Sequence, residues 1–203
     1  MESLLSYFPS HIREKWINQE KKTYKKGDFI RTPAGNNIFV LTDGVAQLFY
    51  INPDGKECVI DLFHSGDFIG VLAMFSPSNR TLYVRALTPI SIIPLPISEV
   101  KDILLQSPEL TFTFLEYVTK KFGRTLDVLE QVAYGKVEDR LLYLLERLAE
   151  EEQNGYRSLP SYLTHRDIAA MIGSTRETVT SLLNQFLLDG RLLEKNNQFW
   201  LKV

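Results

Sequence analysis

The sequence predicts an α+β fold in three parts: an N-terminal β-roll of the double-stranded β-helix or jelly-roll kind, a long dimerisation helix, and a C-terminal winged helix-turn-helix domain. Three patterns carry this prediction. Turn residues recur at near-regular spacing from Thr23 to Pro96, with short β-prone runs between them. A stripe of apolar residues at alternating steps of three and four follows Pro108. Between Leu163 and Gly190 the chain reads as two short capped helices joined by a glycine, with two apolar runs after them. The boundaries fall at 1–107 for the β-roll, 108–135 for the long helix and hinge, and 136–203 for the winged domain.

In the β-roll, Gly27-Asp28, Gly35, Asp43-Gly44, Pro53-Asp54-Gly55 and Ser65-Gly66-Asp67 mark the turns. Between them lie IFVL, VAQLFYI, CVIDLF, LYVRAL and ISIIPL, aromatic or β-branched runs that suit a sandwich or barrel. A short helix around His11 to Gln19 is expected on the outside of the roll. The single cysteine, Cys58, excludes an internal disulfide and any all-cysteine metal or iron–sulfur site within one chain, and is expected in the core.

On the long helix, Leu115, Val118, Phe122, Thr125, Leu129 and Val132 form a heptad seam. Such a stripe either covers its own domain or pairs with its copy in a second subunit, and the dimer interface is placed on these six residues. Tyr134-Gly135-Lys136 breaks the pattern as a hinge, and an amphipathic helix is expected from Val137 to Glu152, before Asn154-Gly155.

In LTHRDIAAMIGSTRETVTSLLNQFLLDG, Thr164 can cap a first helix with Asp167 three residues on, and Ile168, Ala169 and Ile172 are its buried stripe before Gly173. Ser174 is expected to open the second helix in a capping box with Glu177, with Val179, Leu182, Leu183, Phe186 and Leu187 as the apolar face. In a helix-turn-helix of this spacing the second helix enters the DNA major groove, its N-terminal residues at base edges. Those residues are Thr175, Arg176, Glu177 and Thr178. The guanidinium fork of Arg176 suits guanine, and Glu177 can accept from the amino group of cytosine. RLLEKNNQFWLKV then reads as a hairpin wing turning at Asn196-Asn197.

Charge and length limit the partners. The net charge of −2, with six cations against four carboxylates from Arg157 onward, implies weak non-specific DNA binding. Specificity must then come from a few aimed contacts and from dimerisation. The 203 residues can bury one large core or two small ones. No apolar run is long enough to span a membrane, and MESLLSYFPSHIREKW lacks the basic-then-apolar order of a signal peptide, so a cytoplasmic protein without a membrane partner is expected.

Two segments, GKECVIDLFHSGDFIGVL and IGSTRETVTSLL, together with the order of β-roll, long helix, hinge and winged motif, resemble the Crp/Fnr family of bacterial transcription regulators over almost the whole chain. The resemblance implies a homodimer that binds a two-fold palindrome in double-stranded DNA, an effector whose signal passes along the long helix, and contact with RNA polymerase if the protein is an activator. It assigns Arg176 and Glu177 to base reading and Thr164, His165, Arg166 and Thr175 to the DNA backbone; Ser174, Thr180 and Ser181 complete the candidate set. Many members carry a second base-reading arginine where Ser181 stands after Thr180, so a different half-site is expected here.

In the cyclic AMP receptor branch, the segment that resembles GVLAMFSPSNRTLYVRA holds the nucleotide through a glycine, an adjacent glutamate and an Arg-Ser or Arg-Thr pair. The resemblance therefore places the effector pocket at Gly70, Val71, Leu72, Arg80, Thr81 and, on the long helix, Thr125. Val71 stands where that branch has glutamate and cannot accept from a ribose hydroxyl, a loss of about 1.5–3 kcal/mol or roughly ten- to a hundredfold in affinity. A small-molecule effector other than cyclic AMP is expected, and no resident cofactor or metal. Cys58 alone cannot hold the cysteine-bound cluster of the oxygen-sensing branch, and His64 beside Gly66 reads as a turn residue rather than a haem ligand. Alternative readings are a cyclic-nucleotide-responsive regulator and a dimeric scaffold that no longer binds DNA. An enzyme built on a cupin-like metal site would need converging histidines, whereas His11, His64 and His165 lie in three separate segments.

Overall fold

The computed structural model describes residues 3–32, 36–55, 57–75, 82–150 and 152–202, and the chain divides into two compact units, Met1–Thr125 and Leu126–Val203. The turn expected at Gly35 lies outside the described residues.

Among the described residues of the first unit, a 3-10 turn at Leu4–Tyr7 and helix α1 (Ser10–Ile17) precede eight strands: β1 (Lys22–Tyr24), β2 (Phe29–Thr32), β3 (Asn37–Asp43), β4 (Ala46–Ile51), β5 (Glu57–Phe63), β6 (Phe68–Ile69), β7 (Leu82–Ala86) and β8 (Ile90–Pro96). The five β-prone runs are β3, β4, β5, β7 and β8. They pair antiparallel in two sheets, ordered β1-β8-β3-β6 and β2-β7-β4-β5. Phe39, Leu41, Ile69, Ile90 and Ile92 of the first sheet form one apolar core with Ile30, Ala46, Phe63, Val84 and Ala86 of the second. At the β3–β4 turn Gly44 takes φ +82°, and the Pro89 carbonyl and Thr88 hydroxyl crowd the place a Cβ would need.

The alternate residues of the first sheet, among them Ile38, Val40, Phe68, Ile93 and Leu95, form a second core with Trp16 of α1, with α3 (Ile97–Gln106) and with the first turns of α4 (Pro108–Tyr134). Trp16 is fully buried, tilted against Phe8 and edge-on to Phe68, and its indole N–H donates to Glu99 Oε1 at 2.9 Å. Cys58 corrects an expectation: it is exposed. It sits opposite Tyr50 near the turn end of the β4–β5 hairpin, away from the inward-facing core. The same hairpin carries a bulge, with Asp61 opposite Leu48 and Val59 opposite Phe49, so that Ile60 is the extra residue.

The second unit contains the end of α4, then α5 (Val137–Leu148), β9 (Glu152–Gln153), β10 (Tyr156–Ser158), α6 (His165–Ile172), α7 (Arg176–Leu188), β11 (Leu192–Lys195) and β12 (Gln198–Lys202). Its sheet runs β11-β12-β10-β9, antiparallel throughout. Asn196 and Asn197 turn the wing with φ +53° and +62°, the two-residue hairpin expected there. Helix α5, however, stops at Leu148 rather than continuing to Glu152. Asn154 and Gly155, both at positive φ, make a second tight hairpin of β9 and β10. From β10 the Arg157 guanidinium donates to the carbonyls of Glu146 in the last turn of α5, of the cap residue Ala149 and of Glu150 just beyond it.

Candidate nucleic-acid interface

The helix pair is built by local signals. Thr164 caps α6 in a reciprocal box with Asp167, whose carboxylate accepts from the Thr164 N–H at 2.9 Å and from its hydroxyl at 2.6 Å. Gly173 ends α6 in the left-handed conformation, φ +63°. The Ser174 N–H returns to the Ala169 carbonyl at 2.9 Å, so Ser174 belongs to the turn and Thr175, not Ser174, caps α7. The expected box of Ser174 with Glu177 is therefore replaced by a bond from the Thr178 N–H to the Thr175 hydroxyl. Ile168, Ala169, Ile172, Val179, Leu183 and Phe186 lock the two helices onto α5 and the wing sheet through Leu141, Leu145, Leu192 and Leu201.

This capping puts Arg176 and Glu177 at the first two positions of α7, both exposed. Thr164, Arg166, Thr175 and Ser181 are exposed as well, and Ser174 is half-buried in the turn. His165 and Thr180 face each other instead: the Thr180 hydroxyl donates to the Arg176 carbonyl at 2.9 Å, so it accepts from His165 Nδ1–H at 2.8 Å. That bond pins the start of α6 to the first turn of α7. Of the cations counted near the motif, Arg157 is used on α5, and Arg191 pairs with Glu138 and Asp189 at 2.9 Å each.

Residues missed by the sequence reading also shape this face. Arg140 of α5 bonds the α6 terminus, and only its place in an amphipathic helix could have suggested it. On α4, Leu115, Phe122, Thr125, Leu129 and Val132 are exposed, whereas Val118 is half-buried against the β-roll core. Phe112 and Leu126 are exposed too, which completes a stripe of Phe112, Leu115, Thr119, Phe122, Leu126 and Leu129 at steps of three and four.

Of the effector-pocket candidates, Gly70 follows β6 at φ +91°, Val71 is buried in the core beside Met74, and Leu72 is exposed; Val71 and Leu72 open the short helix α2 (Val71–Phe75). Arg80 and Thr81 lie outside the described residues. Thr125 is exposed, and its hydroxyl donates to the Lys121 carbonyl at 3.2 Å. No helix among the described residues is long and apolar enough to cross a membrane.

A cyclic-nucleotide-binding-type β-roll followed by a long helix and a winged helix-turn-helix defines a class of DNA-binding transcription regulators, not of enzymes. Residues 21–107 match the family model of the cyclic nucleotide-binding domain, and residues 139–201 that of the Crp-like helix-turn-helix domain. The chain belongs to the Crp/Fnr family of bacterial transcription regulators. It is similar to a CRP-like cAMP-activated global transcriptional regulator of Mycobacterium tuberculosis, 25% identical over 162 residues that cover 78% of this chain and 72% of the relative. A global nitrogen regulator of Synechocystis is 28% identical over 183 residues, covering 87% and 78%. Among solved structures, the c-di-GMP-responsive global regulator of Xanthomonas campestris shares the fold with a TM-score of 0.77 at 18% identity, over 95% of this chain and 98% of that one. A cyclic nucleotide-binding domain containing protein from Listeria monocytogenes does so with a TM-score of 0.76 at 19% identity, over 98% and 94%.

Proposed function

We propose that the protein is a cytoplasmic homodimeric regulator that reads a two-fold palindrome in double-stranded DNA through α7. The observation that carries this reading is the start of α7, where Arg176 and Glu177 stand exposed on a capped and well-packed helix. Arg176 takes a guanine edge and Glu177 a cytosine amino group. Thr164, Arg166, Ser174 and Thr175 contact phosphates, Ser181 extends the reading face, and His165 and Thr180 position the helices as well as approaching the backbone. In this scheme residues 1–107 sense, 108–135 dimerise and 136–203 bind DNA, and RNA polymerase is a partner where the regulator activates.

Selection from a random double-stranded library with the full-length protein tests this. Enrichment of a palindrome with half-sites about one helical turn apart is expected. A dimer that enriches nothing would instead be the scaffold that no longer binds DNA.

For the β-roll we propose a small-molecule signal other than cyclic AMP, a reading supported by the buried aliphatic Val71 beside Gly70. The competing cyclic-nucleotide reading is favoured by the family match of residues 21–107 and by the cAMP-activated relative. Calorimetry with cyclic AMP and cyclic GMP separates the two.

A further inference from the structure

We propose that Asp61, Phe63 and Asp67 of the β-roll form, with Tyr117 of α4, an ammonium-binding box, and that Lys121 fills it as an intramolecular ligand that holds α4 on the roll without a nucleotide. The proposal deepens the sensing reading above, and rests on it for the link between this contact and DNA affinity.

The box is assembled by groups that do not need Lys121. Asp61, two residues before Phe63 and opposite Leu48, lies on the face that carries Ala46 and Phe63. Asp61 Oδ1 accepts from the Leu62 N–H at 2.9 Å, which leaves Oδ2 for the Lys121 ammonium at 2.8 Å. Asp67 is held twice, by the Tyr117 hydroxyl on Oδ1 and by the His64 N–H on Oδ2, each at 2.9 Å, and its Oδ2 lies 3.7 Å from the ammonium. The ammonium stands 4.5 Å from the Phe63 ring centroid and 5.4 Å from that of Tyr117. Burial, and then the Asp67 carboxylate, push the Tyr117 hydroxyl above the usual phenol range, so it stays a neutral donor and adds no third negative charge.

Two preset carboxylates and two aromatic faces are the elements of a cation receptor. The Lys121 side chain is only 16% exposed, so its ammonium has exchanged most of its water for these partners. With two carboxylates against one ammonium, the described residues of the box retain a net negative charge, which repels a cyclic phosphate and attracts a cation. Lys121 is one helical turn before Thr125, the α4 position to which the family resemblance assigns nucleotide contact. The occupant here is the chain's own side chain, and the class of small molecule able to compete for the box is a primary ammonium compound.

The test uses the full-length protein and chemical rescue. Lys121→Met keeps the aliphatic stem and removes the charge; we expect amide exchange around residues 114–125 to speed up about tenfold, with the far-ultraviolet spectrum retained. Lys121→Ala opens the space, and millimolar propylammonium should restore protection while propanol should not. Restoration of folding by propylammonium alone would count equally if Lys121→Ala does not fold unaided. Wild-type exchange in Lys121→Met, equal rescue by propanol, or no rescue by the amine would each overturn the proposal. These readouts involve no DNA, so failure of the palindrome reading is scored separately, in gel shifts of the same proteins.

Discussion

Arg140 Nε donates to the Ile172 carbonyl at 2.9 Å, tying α5 to the last residue of α6, while Nη1 of the same guanidinium donates to the Gly135 carbonyl at 3.1 Å in the turn after α4. One side chain thus joins the turn between α4 and α5 to the terminus of the first helix of the helix-turn-helix motif. We predict that Arg140→Ala destabilises the second unit by about 1.5–3 kcal/mol, the usual cost of losing hydrogen bonds to a charged group. Arg140→Lys should recover only part of this, since a single ammonium lacks the fork that spans two carbonyls. Urea denaturation of the full chain measures both variants, and an unchanged midpoint for the alanine variant would remove the link.

Arg176→Ala should cost about 1–3 kcal/mol of specific DNA affinity and relax preference at one base pair per half-site, with little change in non-specific binding. Competition gel shifts on single-substituted half-sites read this out. Equal loss on every sequence would make Arg176 a phosphate contact.

Much of this interface was legible because the signals are local. A threonine with an aspartate three residues on, a glycine that must take positive φ, and Asn196-Asn197 between apolar runs each act within one turn of chain. The choice between Ser174 and Thr175 as cap was not legible, since both are good caps; the return of the Ser174 N–H to Ala169 decided it. The end of α5 depended on Arg157 from a strand that the acidic run at 150–152 concealed. Non-local chemistry was least visible: Asp61 inside CVIDLF and Lys121 on the long helix lie 60 residues apart and carry no local signal, and only the fold brings them to 2.8 Å.

Phe122→Asp should dissociate the proposed dimer. Phe122 is 62% exposed at the middle of the α4 stripe, and the substitution would set two like charges against each other in an apolar seam. Sedimentation velocity gives the outcome, and a persisting dimer would move the interface elsewhere. Leu126→Asp should act in the same direction and Val118→Ala far less, because Val118 turns toward the β-roll core.

Acid stability should depend on Glu99. Its carboxylate accepts from Lys15 Nζ and from Trp16 Nε1, both at 2.9 Å, and these bonds, with that to Lys15 the largest, hold its pKa below the ordinary glutamate value against a smaller opposing effect of burial. The ionised form is thus favoured in the folded protein. Stability from this group is present above the ordinary glutamate pKa and is lost as pH falls through the lowered one. Glu99→Gln should flatten the acid limb of the stability curve, monitored by the fluorescence of buried Trp16. A variant with the wild-type slope would show that other carboxylates control the limb.

Cyclic AMP at micromolar concentration should neither bind tightly nor switch DNA affinity. Val71 follows Gly70 with an aliphatic side chain that is buried against Met74 and offers no acceptor to a ribose hydroxyl, a loss worth about 1.5–3 kcal/mol. Two carboxylates, Asp61 and Asp67, already flank the ammonium of Lys121, so this cation is not free to receive a phosphate without giving up existing partners. A ligand can shift an equilibrium only by its differential affinity for the two states, and moving a dimer from mostly inactive to mostly active takes about 5.5 kcal/mol. A nucleotide that lacks one anchor falls short of that requirement. Calorimetry paired with a gel shift on the selected palindrome checks both halves of the claim. Sub-micromolar binding with a roughly tenfold or greater gain in DNA affinity would mean that another group compensates for Val71, and that the roll is a cyclic nucleotide sensor after all.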